Sequence, residues 1–246
     1  MEAQRIVERV PLPASGRTFS SVRRIRLADR DADGRVRLDA LARYLQDVAI
    51  DDVDETGWGA PEHLWVLRSI QVEVIRPLRA DREVELVTWC SALAPLAAGR
   101  RLSVRGDAGG SVEADSVWIH LGPDARPARI EDFGAYAEAA QGRAASTRLA
   151  LPGPPEGAEA APWPLRATDV DVFGHVNNAA YWHAVEQLLP ATGPDPRRPL
   201  RAQLDHRHPI DLGEAVVVRH AARDGGLDVA LEVAGSTRAR ARVEPL

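Results

Sequence analysis

Two stretches of this chain are variants of one another, and that duplication narrows the folds open to it. Residues 29–36 read Asp29-Arg30-Asp31-Ala32-Asp33-Gly34-Arg35-Val36, and residues 169–176 read Asp169-Val170-Asp171-Val172-Phe173-Gly174-His175-Val176. Each copy follows an arginine (Arg26, Arg166) and leads into a helical pattern. In the first, Leu38, Leu41, Leu45, Val48, Ala49 and Val53 recur at the three- and four-residue spacing of one helix face. In the second the pattern starts near Asn178 and carries Tyr181, Val185, Leu188 and Leu189, with Pro190 expected to stop it. Gly57-Trp58-Gly59 is the expected end of the first helix.

After each helix the apolar period falls to two. Ile70, Val72 and Val74 alternate with Gln71 and Glu73, then come Val84, Leu86 and Thr88, residues 100–105, and Val117, Ile119 and Leu121. Residues 215–220, 227–233 and 237–243 read the same way in the second half. Even a connection repeats: Arg76-Pro77-Leu78 parallels His208-Pro209-Ile210. The pattern predicts an α+β fold in two units, each a long amphipathic helix packed on antiparallel strands. We place the first unit at residues 1–145, with a short trailing helix near 131–143, and the second at 163–246. The Pro/Gly/Ala-rich stretch between them, 146–162, reads as a linker.

Composition removes several classes of function. All 31 basic residues are arginine, so a lysine base or Schiff base is excluded. A net charge of -5 argues against nucleic-acid binding. No run of about 18 apolar residues suggests a membrane span, and residues 1–10 lack the apolar region of a secretory signal, so a cytoplasmic location is expected. The single cysteine, Cys90, rules out an internal disulfide and reads as a small buried residue. His206 and His208 would share a strand face, but a metal needs a third convergent ligand, so an exposed pair and no metal are expected. There is no Gly-x-Ser-x-Gly elbow and no phosphate-binding glycine loop, and no cofactor is expected.

The second copy of the repeat holds the chemistry. Asp171, Gly174, His175, Asn177 and Asn178 put a carboxylate, an imidazole and the amides of a helix start within eight residues, and those two asparagines are the only ones in the chain. Such groups can attack an acyl carbonyl and hold the charge it develops. Singly each has a plainer role, as turn residue, helix cap or buried imidazole. In the first copy Arg35 stands where His175 does, and Arg37 and Leu38 stand for the asparagines, so one catalytic site per chain is expected.

The segment Asp171-x-x-Gly174-His175-Val176-Asn177-Asn178-x-x-Tyr181, with Asp169 before it and Glu186 after it, resembles the hotdog-fold thioesterases. Two such units in tandem, with the motif whole only in the second, resemble the acyl-ACP thioesterases of bacteria and plants over nearly the entire chain. The resemblance implies a double hotdog that hydrolyses a fatty acyl thioester carried by acyl carrier protein, or by CoA. It implies Asp171, His175, Asn177 and Glu186 as catalytic residues and Phe173, Gly174, Val176 and Asn178 as substrate contacts. It also implies that the first unit lines the acyl pocket. Two positions depart from the plant pattern: Phe173 occupies its asparagine position and Pro209 its downstream glutamate, with Asp205, Asp211 and Glu214 as neighbouring acids. Hotdog dehydratases and a non-catalytic acyl-binding module are the rival readings. The tandem arrangement already supplies paired units, and a homodimer is left open.

Overall fold

In the computed structural model, residues 9–57 and 64–246 are described; Trp58 and Gly59 of the expected helix end, and the start of the N-terminal stretch, lie outside them. The first half runs β1 (Thr18–Arg24), α1 (Leu38–Glu55), β2 (Leu64–Arg76), β3 (Glu83–Ala94), β4 (Ala97–Gly106), β5 (Ser111–Leu121) and the short α2 (Ala135–Ala140). The second runs β6 (Glu159–Trp163), α3 (Tyr181–Thr192), β7 (Leu200–His206), β8 (Val216–Arg223), β9 (Gly226–Val233) and β10 (Ser236–Pro245).

All ten strands form one antiparallel sheet in the order β1-β3-β4-β5-β2-β7-β10-β9-β8-β6. Read outward from the β2–β7 junction, the two halves have the same order. At that junction Gln71 lies opposite Gln203, within a register running from Ser69 with Asp205 to Val74 with Leu200. Each half wraps its sheet around one long helix, which is the α+β double hotdog arrangement. Leu38, Leu41, Leu45 and Val48 of α1, and Trp182, Val185 and Leu189 of α3, are buried in a core cluster that spans both halves. Each such side chain contributes roughly 1.5–3 kcal/mol by leaving water, so neither helix has a reason to leave the sheet.

Three local expectations need correction. The stretch read as a linker ends in a strand: residues 159–163 pair with β8 as the outer edge of the sheet. Alanine and proline are poor strand formers, but an edge strand needs only one partner, and edges tolerate proline. Pro190 does not stop α3, which continues to Thr192 and ends at Gly193. In the last turn the missing proline N–H costs one hydrogen bond and no more of the helix. The helix also starts later than expected, because residues 178–180 form a turn ahead of Tyr181.

Candidate active site

The acidic turn is built from backbone bonds that the glycine makes possible. Asp171 N–H donates to the His175 carbonyl (3.0 Å) and Gly174 N–H to the Asp171 carbonyl (3.0 Å). Gly174 sits at φ +82°, a left-handed position that a side chain would strain. The turn is tied down at its far end, where Val176 N–H donates to Ile210 carbonyl (2.8 Å) and Asn177 N–H to Asp169 carbonyl (2.8 Å). Asp169 itself is buried and accepts from Arg166 N–H (2.9 Å), so its role is to brace the turn.

These bonds hold Asp171 in place. Its Oδ1 accepts from Phe173 N–H at 3.0 Å, and its Oδ2 accepts from the Asn177 side-chain amide at 3.2 Å. The Asn177 carbonyl oxygen meanwhile accepts from Ala179 N–H at 2.9 Å, shaping the turn that leads into α3. Asn177 thus acts on the aspartate and the helix start together. His175 Nδ1 lies 2.5 Å from Asp211 Oδ1, with both side chains about half exposed. Asp211 is steadied by Glu214, whose Oε2 accepts from Asp211 N–H (2.9 Å) while its Oε1 accepts from Arg238 (2.9 Å). Of the three neighbouring acids, then, Asp211 reaches the imidazole, Glu214 backs it, and Asp205 is buried elsewhere, accepting from Leu151 N–H (3.1 Å).

Of the amides at the helix start, those of Val176, Asn177 and Ala179 are spent on the acceptors named above. Among the described residues no acceptor meets the N–H of Asn178. Asp171, Phe173, His175, Val176 and Asn178 all line a cavity of about 820 Å³. The rest of the wall comes largely from the first half, including Gln46, Ile50 and Val53 of α1 and Trp65, Trp118 and Ile119 of the sheet. A mostly apolar pocket with a few convergent polar groups is the usual form of a small-molecule site. Gly174 and Asn177 shape this wall without lining it.

Glu186 is not part of the constellation. Its carboxylate accepts from both Arg35 Nη atoms (3.0 and 2.6 Å) and from Leu38 N–H at the start of α1 (2.6 Å). It lines a different cavity, at the first acidic turn, where Arg35 also holds Asp31 (2.9 Å). The expectation of a catalytic Glu186 finds no support in this geometry: in the first half of α3 it reaches across to the other half of the molecule. His206 also differs from expectation, because only His208 is exposed. His206 is buried against Tyr181 with ring centroids 4.8 Å apart, and burial together with Arg68 pushes its imidazole down to about 3. Cys90 is buried in the cavity wall, and burial pushes its thiol up to about 11, which leaves no thiolate for nucleophilic work.

Sequence reasoning did not single out Gln46, or Asp211 as the partner of His175. The signals for Asp211 were its place among the acids next to Pro209 and the repeated proline connection, which places residue 210 beside the turn as residue 78 lies beside the first.

A ten-stranded sheet wrapped around two long helices, with a carboxylate and an imidazole on the wall of one cavity, is the arrangement expected of a hotdog thioester hydrolase. Comparison with known proteins agrees. The acyl-ACP thioesterase N-terminal domain model matches residues 16–133 and the acyl-ACP thioesterase C-terminal domain model matches residues 154–243. The chain therefore belongs to the acyl-ACP thioesterase family. It is 31% identical over 244 residues to an uncharacterised protein of Mycobacterium tuberculosis strain H37Rv, covering 98% of this chain and 96% of that one. An acyl-ACP thioesterase from Bacteroides thetaiotaomicron superposes with a TM-score of 0.75 at 17% identity, covering 92% of this chain and 97% of that one. A 12:0-ACP thioesterase from Umbellularia californica does so with a TM-score of 0.74 at 19% identity, covering 92% and 96%. At those identities the two structures are similar in fold.

Proposed function

We propose that the chain hydrolyses a fatty acyl thioester of acyl carrier protein, giving the free fatty acid and the carrier thiol. The observation that carries this reading is Asp171, fixed by two N–H donors in the wall of a largely apolar cavity that Asn178, whose N–H meets no acceptor among the described residues, also lines. In the proposed step Asp171 takes a proton from water as the water oxygen bonds to the thioester carbon. The carbonyl oxygen gains charge next to Asn178 N–H, a backbone donor in the turn that leads into α3. Collapse breaks the carbon–sulfur bond, and the proton passes from Asp171 to the departing thiolate. His175, with its Nδ1–H committed to Asp211, presents Nε2 to the water or the sulfur. Phe173 lies at the mouth, 64% exposed, as an apolar contact for the incoming arm.

Support for a carrier-bound substrate comes from the family and from Arg207. This arginine lines the cavity and forms no ion pair among the described residues, so its guanidinium is available to the phosphate of a pantetheine arm. That phosphate chemistry is shared with CoA, and matched panels of acyl-ACP and acyl-CoA separate the two carriers by kcat/KM. A single turnover in H2(18)O tests the base role: label enters the fatty acid directly if water attacks, and enters Asp171 over repeated turnovers if the carboxylate attacks. On this reading, release from the carrier withdraws the acyl chain from further elongation, and a cytoplasmic location goes with that role.

A further inference from the structure

The two acidic turns have the same backbone geometry but opposite fates for the amide at the helix start. In the first half, Leu38 N–H is capped by the Glu186 carboxylate at 2.6 Å. In the second, the equivalent N–H, that of Asn178, meets no acceptor among the described residues. The difference traces to one pair of positions. Glu186 lies fifteen residues past its turn aspartate, Asp171, and Gln46 lies fifteen past Asp31. Each is therefore the residue that its own helix extends toward the turn of the other half.

Gln46 lines the large cavity together with His175 and Asn178. Among the described residues its Oε1 is buried without a hydrogen-bond partner, and its side-chain amide nitrogen donates to no group. A carboxamide with unused donors and acceptor in a largely apolar wall is unfavourable unless a ligand satisfies it. A carboxylate here would seize the helix amide, as Glu186 does opposite. A neutral carboxamide competes weakly for that N–H and can turn its NH2 toward the same point.

We propose that Gln46, contributed by the first half, is a catalytic residue of the second half's site: its amide N–H donates to the thioester carbonyl oxygen alongside Asn178 N–H. This inference rests on the thioesterase reading above and makes the first half a chemical participant as well as a pocket wall. It also explains the first half's own turn, where Glu186 and Arg35 fill the place a substrate carbonyl would need.

The test is steady-state hydrolysis of long-chain acyl-ACP by the wild-type chain, Gln46→Ala and Gln46→Glu, each shown by circular dichroism to be folded. Binding of two inert analogues is measured in parallel, one linked to the carrier through an amide carbonyl and one through a thioether. We expect Gln46→Ala to lower kcat about 10²- to 10³-fold, the range for losing one oxyanion donor, with KM changed less than threefold. We expect it to weaken the amide analogue and leave the thioether analogue unchanged. Gln46→Glu should lose at least as much, because its carboxylate would cap Asn178 N–H. Wild-type kcat in Gln46→Ala, with the wild-type chain active, overturns this inference alone. A wild-type chain that releases thiol from no acyl-ACP or acyl-CoA overturns the thioesterase reading and this inference with it.

Discussion

A carboxylate held by two N–H donors keeps its geometry before any substrate arrives, and for Asp171 those donors are Phe173 N–H and the Asn177 side chain. Replacing it should therefore remove chemistry and little else. Asp171→Ala is expected to lower kcat by about 10²–10⁴, the usual span for a general base, with a thermal midpoint within a few degrees of wild type. Unchanged kcat would move the chemistry elsewhere. His206 gives a second expectation at this scale. Its folded-state value of about 3 lies below its ordinary 6.5. Between those two pH values the unfolded chain binds a proton that the folded chain does not, so stability rises with pH across that window and falls on acidification. His206→Phe should flatten that slope in urea titrations at a series of pH values; an unchanged slope would contradict the burial argument. Much of this site was legible as spacing: a turn that needs Gly174 and a helix start after it bring Asp171, His175 and Asn178 to one wall without help from distant residues. Asp211 and Gln46 were not, because their approach depends on strand register and on how two helices lie against each other.

Between the helices, one ion pair decides what the first acidic turn can be. Arg35 is buried with Asp31 and Glu186 as its partners, and Glu186 also caps α1. Removing one member leaves a buried charge poorly compensated, which typically costs about 3–5 kcal/mol. Glu186→Ala is expected to lose stability on that scale in urea denaturation while keeping kcat within a few-fold of wild type. A catalytic Glu186 would show the reverse. Helical spacing placed Glu186 on α3 but could not say which half it would face. The apolar stripe of α1 was readable because burial enforces it, whereas the strand at residues 159–163 was not: an edge strand of alanine and proline is specified by its partner, β8, more than by its own residues.

At the scale of the molecule, the cavity belongs to both halves. Its polar end comes from the second acidic turn, and its apolar wall includes Ile50 and Val53, which flank Gln46 on the cavity face of α1. Filling that wall should select against long chains: Ile50→Trp is expected to reduce kcat/KM about tenfold or more for the longest acyl-ACP accepted, by the overpacking it imposes, and to spare short ones. Equal effects on all lengths would mean that the acyl chain lies elsewhere. The repeat foretold this two-part architecture, since duplicated turns, helices and proline connections impose the same strand order on each half. The central claim is that Asp171 drives thioester hydrolysis in that shared cavity. The most direct measurement is thiol release from matched acyl-ACP and acyl-CoA panels by the wild-type chain and Asp171→Ala. We expect release from long-chain acyl-ACP by the wild type and almost none by the variant; no release from either carrier by the wild type, or equal release by the two proteins, would contradict it.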